Sequence, residues 1–244
     1  MFIEFYKIYK SKVWQRNPRY SSYNLFKRNV GVMKKYSDID KLLIRSNDIL
    51  DMLFNIKSLG RPYPADKIEE SESMTKSNRK LVNNLMRVNH AGEVSAQGLY
   101  IGHAILAKTK DQKEMMLRMA SEEKDHLEWC EKRIKELKGN TSIFNPVWFS
   151  GSIAIGMLSS ISNDKNALGF IEETEKQVAE HLESHIKKLP KDDKKTYSIL
   201  KKMKSDEEHH GETAHVNGAT ELSGNLKKIM ETTANVMKFV SYKI

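Results

Sequence analysis

The chain has one cysteine, Cys130, in 244 residues. No internal disulfide is available, a disulfide-framed module is excluded, and a lone thiol fits a reducing compartment. Proline is scarce at five residues, glycine amounts to twelve and aromatics to 8%; no stretch alternates apolar and polar residues as a half-buried strand would. These shortages argue against a β-sandwich. The 39% hydrophobic and 30% charged content points instead to one helical globular domain with extensions. Neither an aromatic RNA-binding motif nor a basic recognition helix is present, so nucleic acid is not an expected partner. No G-x-G-x-x-G follows a strand pattern, and the sequence shows no Rossmann site.

Acidic residues are nearly missing from one place. Residues 1–36 hold nine Lys and Arg, from Lys7 to Lys35, against the single acid Glu4, and account for most of the net charge of +9. This stretch reads as a basic extension outside the fold: a leader of the mitochondrial transit type, or a tail before a true start at Met33. Residues 37–72 read as a short amphipathic helix, 37–56, with Ile39, Leu42, Leu43, Leu50, Leu53 and Phe54 on its apolar side, then a loop marked by Gly60, Pro62 and Pro64. The domain proper runs from 73 to 244. Its four long helical patterns cover 74–108, 110–137, 166–188 and 191–217, and a last amphipathic helix, 223–240, aligns Leu226, Ile229, Met230, Val236, Met237 and Val240.

Between the second and third long patterns lies "PVWFSGSIAIGMLSSIS", 146–162, which carries no charge. It is too short and too rich in Ser and Gly to span a bilayer. Two readings stand: a packed core helix, or a helix at the membrane interface that lines a channel for an apolar ligand, with Trp148, Phe149, Ile153, Ile155 and Met157 near lipid or along the channel.

The chemistry is concentrated in a repeat. In "LMRVNHAGEVSAQGLYIG" a glutamate, Glu93, shares a helix face with Asn89, His90, Ala96, Gln97 and Tyr100, and a carboxylate enclosed there requires a cation, a proton or several donors. Glu93 is followed 30 residues later by Glu123 of Glu123-x-x-His126; Glu175 is followed 32 residues later by Glu207 of Glu207-x-x-His210. Residues three apart on a helix share a face, so each E-x-x-H offers a carboxylate and an imidazole to one point. With one glutamate from each partner helix, four carboxylates and two imidazoles can converge in an all-α, ferritin-like four-helix bundle and hold two divalent ions. Oxygen and imidazole donors suit iron or manganese, and the lack of a cysteine cluster argues against structural zinc. Two registers compete, since Asp206/His209 could replace Glu207/His210, and Glu172 rivals Glu175. Glu122, Glu173, Glu180 and Glu208 read as solvated charges, and His181 with His185 as local polar partners.

The segments "LMRVNHAGEVSAQGLY", "EEKDHLEWCEKRIKEL", "NPVWFSGSIAIG", "LGFIEETEKQVAEHL" and "MKSDEEHHG" resemble the demethoxyubiquinone hydroxylase family of ubiquinone biosynthesis, particularly its bacterial members, over about 37–244. The resemblance implies a ferritin-like di-iron monooxygenase, peripheral on membrane, that uses O2 to hydroxylate the quinone ring before the final O-methylation. Two Fe ions per chain would be held by Glu93, Glu123, His126, Glu175, Glu207 and His210, with electrons from NADH or from the quinol itself. The family motif favours the Glu207/His210 register. His181 matches a family histidine near the metals, while Leu182 stands where animal members carry tyrosine.

A polyprenyl quinone is thus the expected substrate, reached through membrane contact by 146–162 and 223–240, with Lys227 and Lys228 meeting anionic headgroups. Association with other ubiquinone-biosynthesis proteins is a further expectation. The bacterial-type motifs place the chain on the cytoplasmic face of the inner membrane; the alternative is the matrix side of the mitochondrial one. Competing readings are a rubrerythrin- or manganese-catalase-like peroxide-handling protein, an iron store, and a non-enzymatic lipid-binding bundle.

Overall fold

The computed structural model describes residues 37–71, 74–162 and 164–244; the basic extension and the Met33 start lie outside them. The described residues form seven helices and no strand: α1 Asp38–Phe54, α2 Lys76–Leu106, α3 Lys110–Glu136, α4 Asn145–Ser162, α5 Asp164–Lys188, α6 Lys194–Val216 and α7 Gly224–Lys243. Five of them start on a side-chain cap that accepts an otherwise unpaired backbone N–H: Ser37 from Asp40, Thr75 from Asn78, Thr109 from Gln112, Asp193 from Thr196 and Ser223 from Leu226.

Helices α2 and α3 form one hairpin and α5 and α6 another, joined by a crossover that contains α4. Backbones approach closely within each hairpin, whereas contact between the hairpins is made chiefly by side chains. The core is therefore layered. One apolar cluster gathers Ala96, Tyr100 and Ile101 with Met116, Met119, Ile171 and Ala214. The other gathers Val82 and Met86 with Trp129, Ile134, Leu182, Ile199 and Met203. Along every one of the four helices the site residues fall between these two layers.

Helix α4 lies against α2 through glycine. A Cβ on Gly102 would sit 2.3 Å from the Ile153 carbonyl oxygen, and one on Gly156 would sit 2.3 Å from that of Leu99. No side chain fits either place. The loop before the bundle is also fastened: fully buried Arg133 holds Glu70 at 2.5 Å, Glu136 at 3.0 Å and Asp193 at 3.0 Å, and reaches Thr196 at 2.8 Å. Helix α1 departs from its amphipathic reading, because Met52, Ile49 and Leu53 face the core while Leu50 and Phe54 are exposed.

Gly102→Val is expected to force α2 and α4 apart and destabilise the protein by about 2–4 kcal/mol. Gly151→Ala, where an added Cβ meets nothing within 4 Å, should instead stabilise by roughly 0.5–1 kcal/mol. Equal denaturant midpoints for the two variants would contradict the close-contact account of α4.

Candidate metal centre

Glu93 from α2, Glu123 and His126 from α3, Glu175 from α5, and Glu207 and His210 from α6 converge at mid-bundle, each 2% exposed or less. Two overlapping sets result, Glu93, Glu123, His126 and Glu207 in one and Glu175, Glu207 and His210 in the other; within each, the atoms suited to ligation lie within 4.8 Å of one another. The rival register is not the one that faces inward: His209 is exposed, and Glu172 pairs instead with His215 at 2.9 Å.

Glu123 and Glu207 occupy the middle. Glu123 places Oε2 3.1 Å from His126 Nδ1 and Oε1 3.2 Å from His210 Nδ1; Glu207 mirrors it with Oε1 3.1 Å from His126 Nδ1 and Oε2 3.2 Å from His210 Nδ1. Glu93 flanks the His126 side at 3.3 Å, and Glu175 accepts a hydrogen bond from the Tyr100 hydroxyl on the other. The arrangement has two end carboxylates and two central ones that span both imidazoles.

Burial drives the Glu93 and Glu175 carboxyls well above the usual range, and the neighbouring glutamates Glu123 and Glu207 push the same way. Burial opposes ionisation of Glu123 and Glu207 too, but the imidazoles of His126 and His210 overrule it and hold both low. Both imidazoles are raised in turn, against the effect of burial, by the carboxylates around them.

Each imidazole turns its other nitrogen outward to an acid. His126 Nε2 lies 3.0 Å from Asp206, and His210 Nε2 lies 2.8 Å from Glu122. These acids immediately precede the opposite E-x-x-H, so each motif orients the other's histidine. Arg61 ties them together from the loop: it bonds Asp125 at 2.5 Å, Asp206 at 2.8 Å and the Glu122 carbonyl at 3.1 Å, and stacks 4.9 Å over Trp129. Glu122, read as a solvated charge, is thus a histidine partner, and Arg61 and the Tyr100 hydroxyl were not assigned roles from sequence. An acid before both E-x-x-H motifs was the available signal.

The residues fit bound metal. Glu175 Oε2 is buried with no hydrogen bond, and Glu123 Oε1 and Glu207 Oε1, likewise without one, have only an imidazole Nδ1 beside them at 3.2 Å and 3.1 Å; such oxygens are costly unless a cation takes them. Each Nδ1 faces several carboxylate oxygens where one N–H could satisfy only one. The donors are oxygen and nitrogen, and Cys130 is kept a thiol by burial.

A cavity of about 490 Å³ reaches Glu93 between α2, α4, α5 and α7, with walls that include Leu99, Trp148, Ile155, Phe170, Ile229 and Met237. Of the α4 residues expected at lipid or channel, Trp148 and Ile155 line it, whereas Phe149 and Ile153 turn away and pack against the apolar core next to α2. His181 is on the cavity wall, its ring 3.9 Å from that of His185 and tilted 60° to it, and pairs with none of the six. Burial lowers its pKa to about 3, so its ring is neutral.

The family model described as "Ubiquinone biosynthesis protein COQ7" matches residues 80–241. A 3-demethoxyubiquinol 3-hydroxylase of Polynucleobacter necessarius is 41% identical over 208 residues, covering 85% of this chain and all (100%) of that one. The protein of the same name from Legionella pneumophila (strain Corby) is 46% identical over 184 residues, 75% of this chain and 86% of the relative. That of Chromobacterium violaceum is 41% identical over 206 residues, 84% and 100% of the two chains. A match over most of the bundle, together with full-length relatives at this identity, shows that the chain belongs to the COQ7 family of ubiquinone biosynthesis proteins.

Proposed function

We propose that the chain is a 3-demethoxyubiquinol 3-hydroxylase that uses O2 to place a hydroxyl on the quinol ring, with two iron ions held by Glu93, Glu123, His126, Glu175, Glu207 and His210. The observation that carries this reading is the position of Glu93: the same residue belongs to the carboxylate and imidazole cluster and to the wall of the apolar cavity. When bound, iron supplies the electron transfer to O2 that no side chain can perform.

The protein's own share is placement. Glu123 and Glu207, each 3.1–3.2 Å from both imidazoles, would hold metal from the middle of the cluster, and Glu93 and Glu175 from its two sides. Asp206 and Glu122 each accept from an imidazole Nε2 and so leave Nδ1 free to ligate. The cavity orients a flat ring between apolar walls and keeps water off it. The Trp148 indole N–H and His181 Nε2 are buried there with no partner and suit the ring's oxygen substituents. A storage protein has no use for such walls.

Metal affinity should rise with pH. The raised pKa values of Glu93, Glu175, His126 and His210 mean that these groups carry protons when metal-free and must shed them to ligate, so higher pH removes the competitor. Chelator competition should show at least about a tenfold gain per pH unit over a window near neutrality. Glu207→Ala, which removes the carboxylate common to both ligand sets, should bind fewer than two irons per chain and lose turnover while keeping its helical circular dichroism. Two tightly bound irons in that variant, or affinity indifferent to pH, would contradict the assignment.

The same reading seats the protein peripherally on the cytoplasmic face of the bacterial inner membrane. Among the described residues no helix is long and apolar enough to cross a bilayer. Val147, Ile155, Leu226 and Ile229 edge the cavity and are themselves exposed, and Leu158, Ile161, Val236 and Phe239 extend the apolar surface along α4 and α7. That surface supports a mouth opening onto lipid. Val147→Glu with Leu158→Glu and Phe239→Glu should release the protein from anionic vesicles and cut turnover of a long-tailed quinol by about tenfold or more. Turnover of a short-tailed analogue and iron content should hold. Unchanged vesicle binding would count against the mouth.

A further inference from the structure

A second opening reaches the same cluster from another side. Helices α5 and α6 enclose a groove of about 590 Å³ whose lining includes Glu175 and Glu207. It shares no lining residue with the apolar cavity: residues 172, 175, 176, 179, 180 and 183 of α5 face the groove, and 170, 174, 177, 178, 181 and 182 face the cavity. Its chemistry is the reverse of the cavity's. Seven glutamates line it against two lysines, in a chain whose net charge is +9.

Several of these acids are already paired. Lys204 bonds Glu183 at 2.9 Å and lies 3.5 Å from Glu208, and Glu172 meets His215. Surface acids alone would signify nothing. Beneath them, however, Glu175 Oε2 and Glu207 Oε1 have no hydrogen bond although both residues are 1% exposed. The acidic surface leads to Glu175 Oε2, which is buried with no partner, and to Glu207 Oε1, whose neighbour is His126 Nδ1 at 3.1 Å.

Gly211 keeps that approach clear. Glycine inside a helix costs roughly 0.5–1 kcal/mol relative to alanine, and close backbone contact explains it at Gly98, Gly102, Gly156 and Gly169, though not at Gly92 or Gly151. At Gly211 nothing comparable exists: an added Cβ would meet only the Glu175 Cβ, at 3.6 Å, which is ordinary contact. Packing does not demand the glycine. A larger side chain there would stand over Glu175. Ala179, the other small residue in the lining, leaves space on the α5 side.

The geometry points to the α5–α6 groove as the path by which hydrated divalent metal enters the buried centre, separate from the apolar cavity. It rests on the six residues being the metal ligands. A hydrated dication is strongly disfavoured in a passage walled by Leu, Phe, Ile and Met, because its charge must be desolvated without replacement. In the acidic groove, carboxylates attract it and can exchange for its water stepwise, with Glu175 and Glu207 receiving it at the floor.

The test is loading kinetics on metal-free full-length protein, with Co(II) followed by its visible absorption and, separately, Fe(II) by trapping of unbound metal. Glu180→Gln/Glu208→Gln/Glu212→Gln changes three exposed residues and should slow loading about tenfold. Rising salt should slow the unaltered protein and hardly affect the variant, with final stoichiometry unchanged in both. Gly211→Leu should slow loading while retaining circular dichroism and final stoichiometry. Wild-type loading rates in both variants, at full stoichiometry, would overturn the entry path and leave the metal centre standing. Failure of the unaltered protein to take up either metal would remove the centre, and the path with it.

Discussion

Four buried carboxyl groups in one layer of a helical bundle repel one another. At separations of about 4 Å and an effective dielectric near 20, each like-charged pair would cost about 4 kcal/mol. A well-buried apolar side chain returns only about 1.5–3 kcal/mol, so the two hydrophobic layers cannot hold four free carboxylates by packing alone. The charge has to be neutralised locally. In the metal-free protein this happens by division: Glu93 and Glu175 keep protons, while Glu123 and Glu207 ionise against two imidazolium rings. The layer is neutral with those protons, and neutral again if four carboxylates face two divalent ions.

Much of the surrounding structure serves that exchange. The acid before each E-x-x-H steadies the histidine of the other, and Arg61 joins the two acids' segments across the hairpins. Helix α5 then divides the traffic. One side looks into the apolar cavity through Phe170, His181 and Leu182, the other into the acidic groove through Glu172, Glu175 and Glu180. On the proposed reading, a ligand that avoids water and an ion that carries it would reach the same centre without sharing a lining residue.

The sequence made the helices and the six central residues legible because both depend on local periodicity. Every helix begins and ends within three residues of its expected bounds, and the spacing of three in each E-x-x-H brings carboxylate and imidazole together as helical geometry requires. The inward register of Glu207 and His210 follows from the same repeat. Arg61, Glu122 and the α4 side chains were less legible. Arg61 meets Asp206 from 145 residues away and Glu122 meets His210 from 88, and neither contact leaves a mark in local pattern. In α4, uncharged residues surround the whole helix, so nothing in the sequence told Phe149 and Ile153, which pack inward, from Val147 and Leu158, which do not. Phe54 shows the limit of amphipathic reading, since the helix uses Met52 and Leu53 against the core instead.

Arg61 also bears on where the working unit starts. The family match opens at residue 80, after the loop, and takes in all six central residues and both orienting acids. Asp125, 1% exposed, receives its hydrogen bonds from the Gly60 backbone at 3.0 Å and from Arg61 at 2.5 Å. A shorter chain cut at the first bundle helix would preserve every ligand and both E-x-x-H motifs while stripping a buried carboxylate of those donors beside His126. Its fault would be invisible in a comparison of motifs. The surroundings of the centre thus reach back at least to Gly60, beyond the residues that the family match covers.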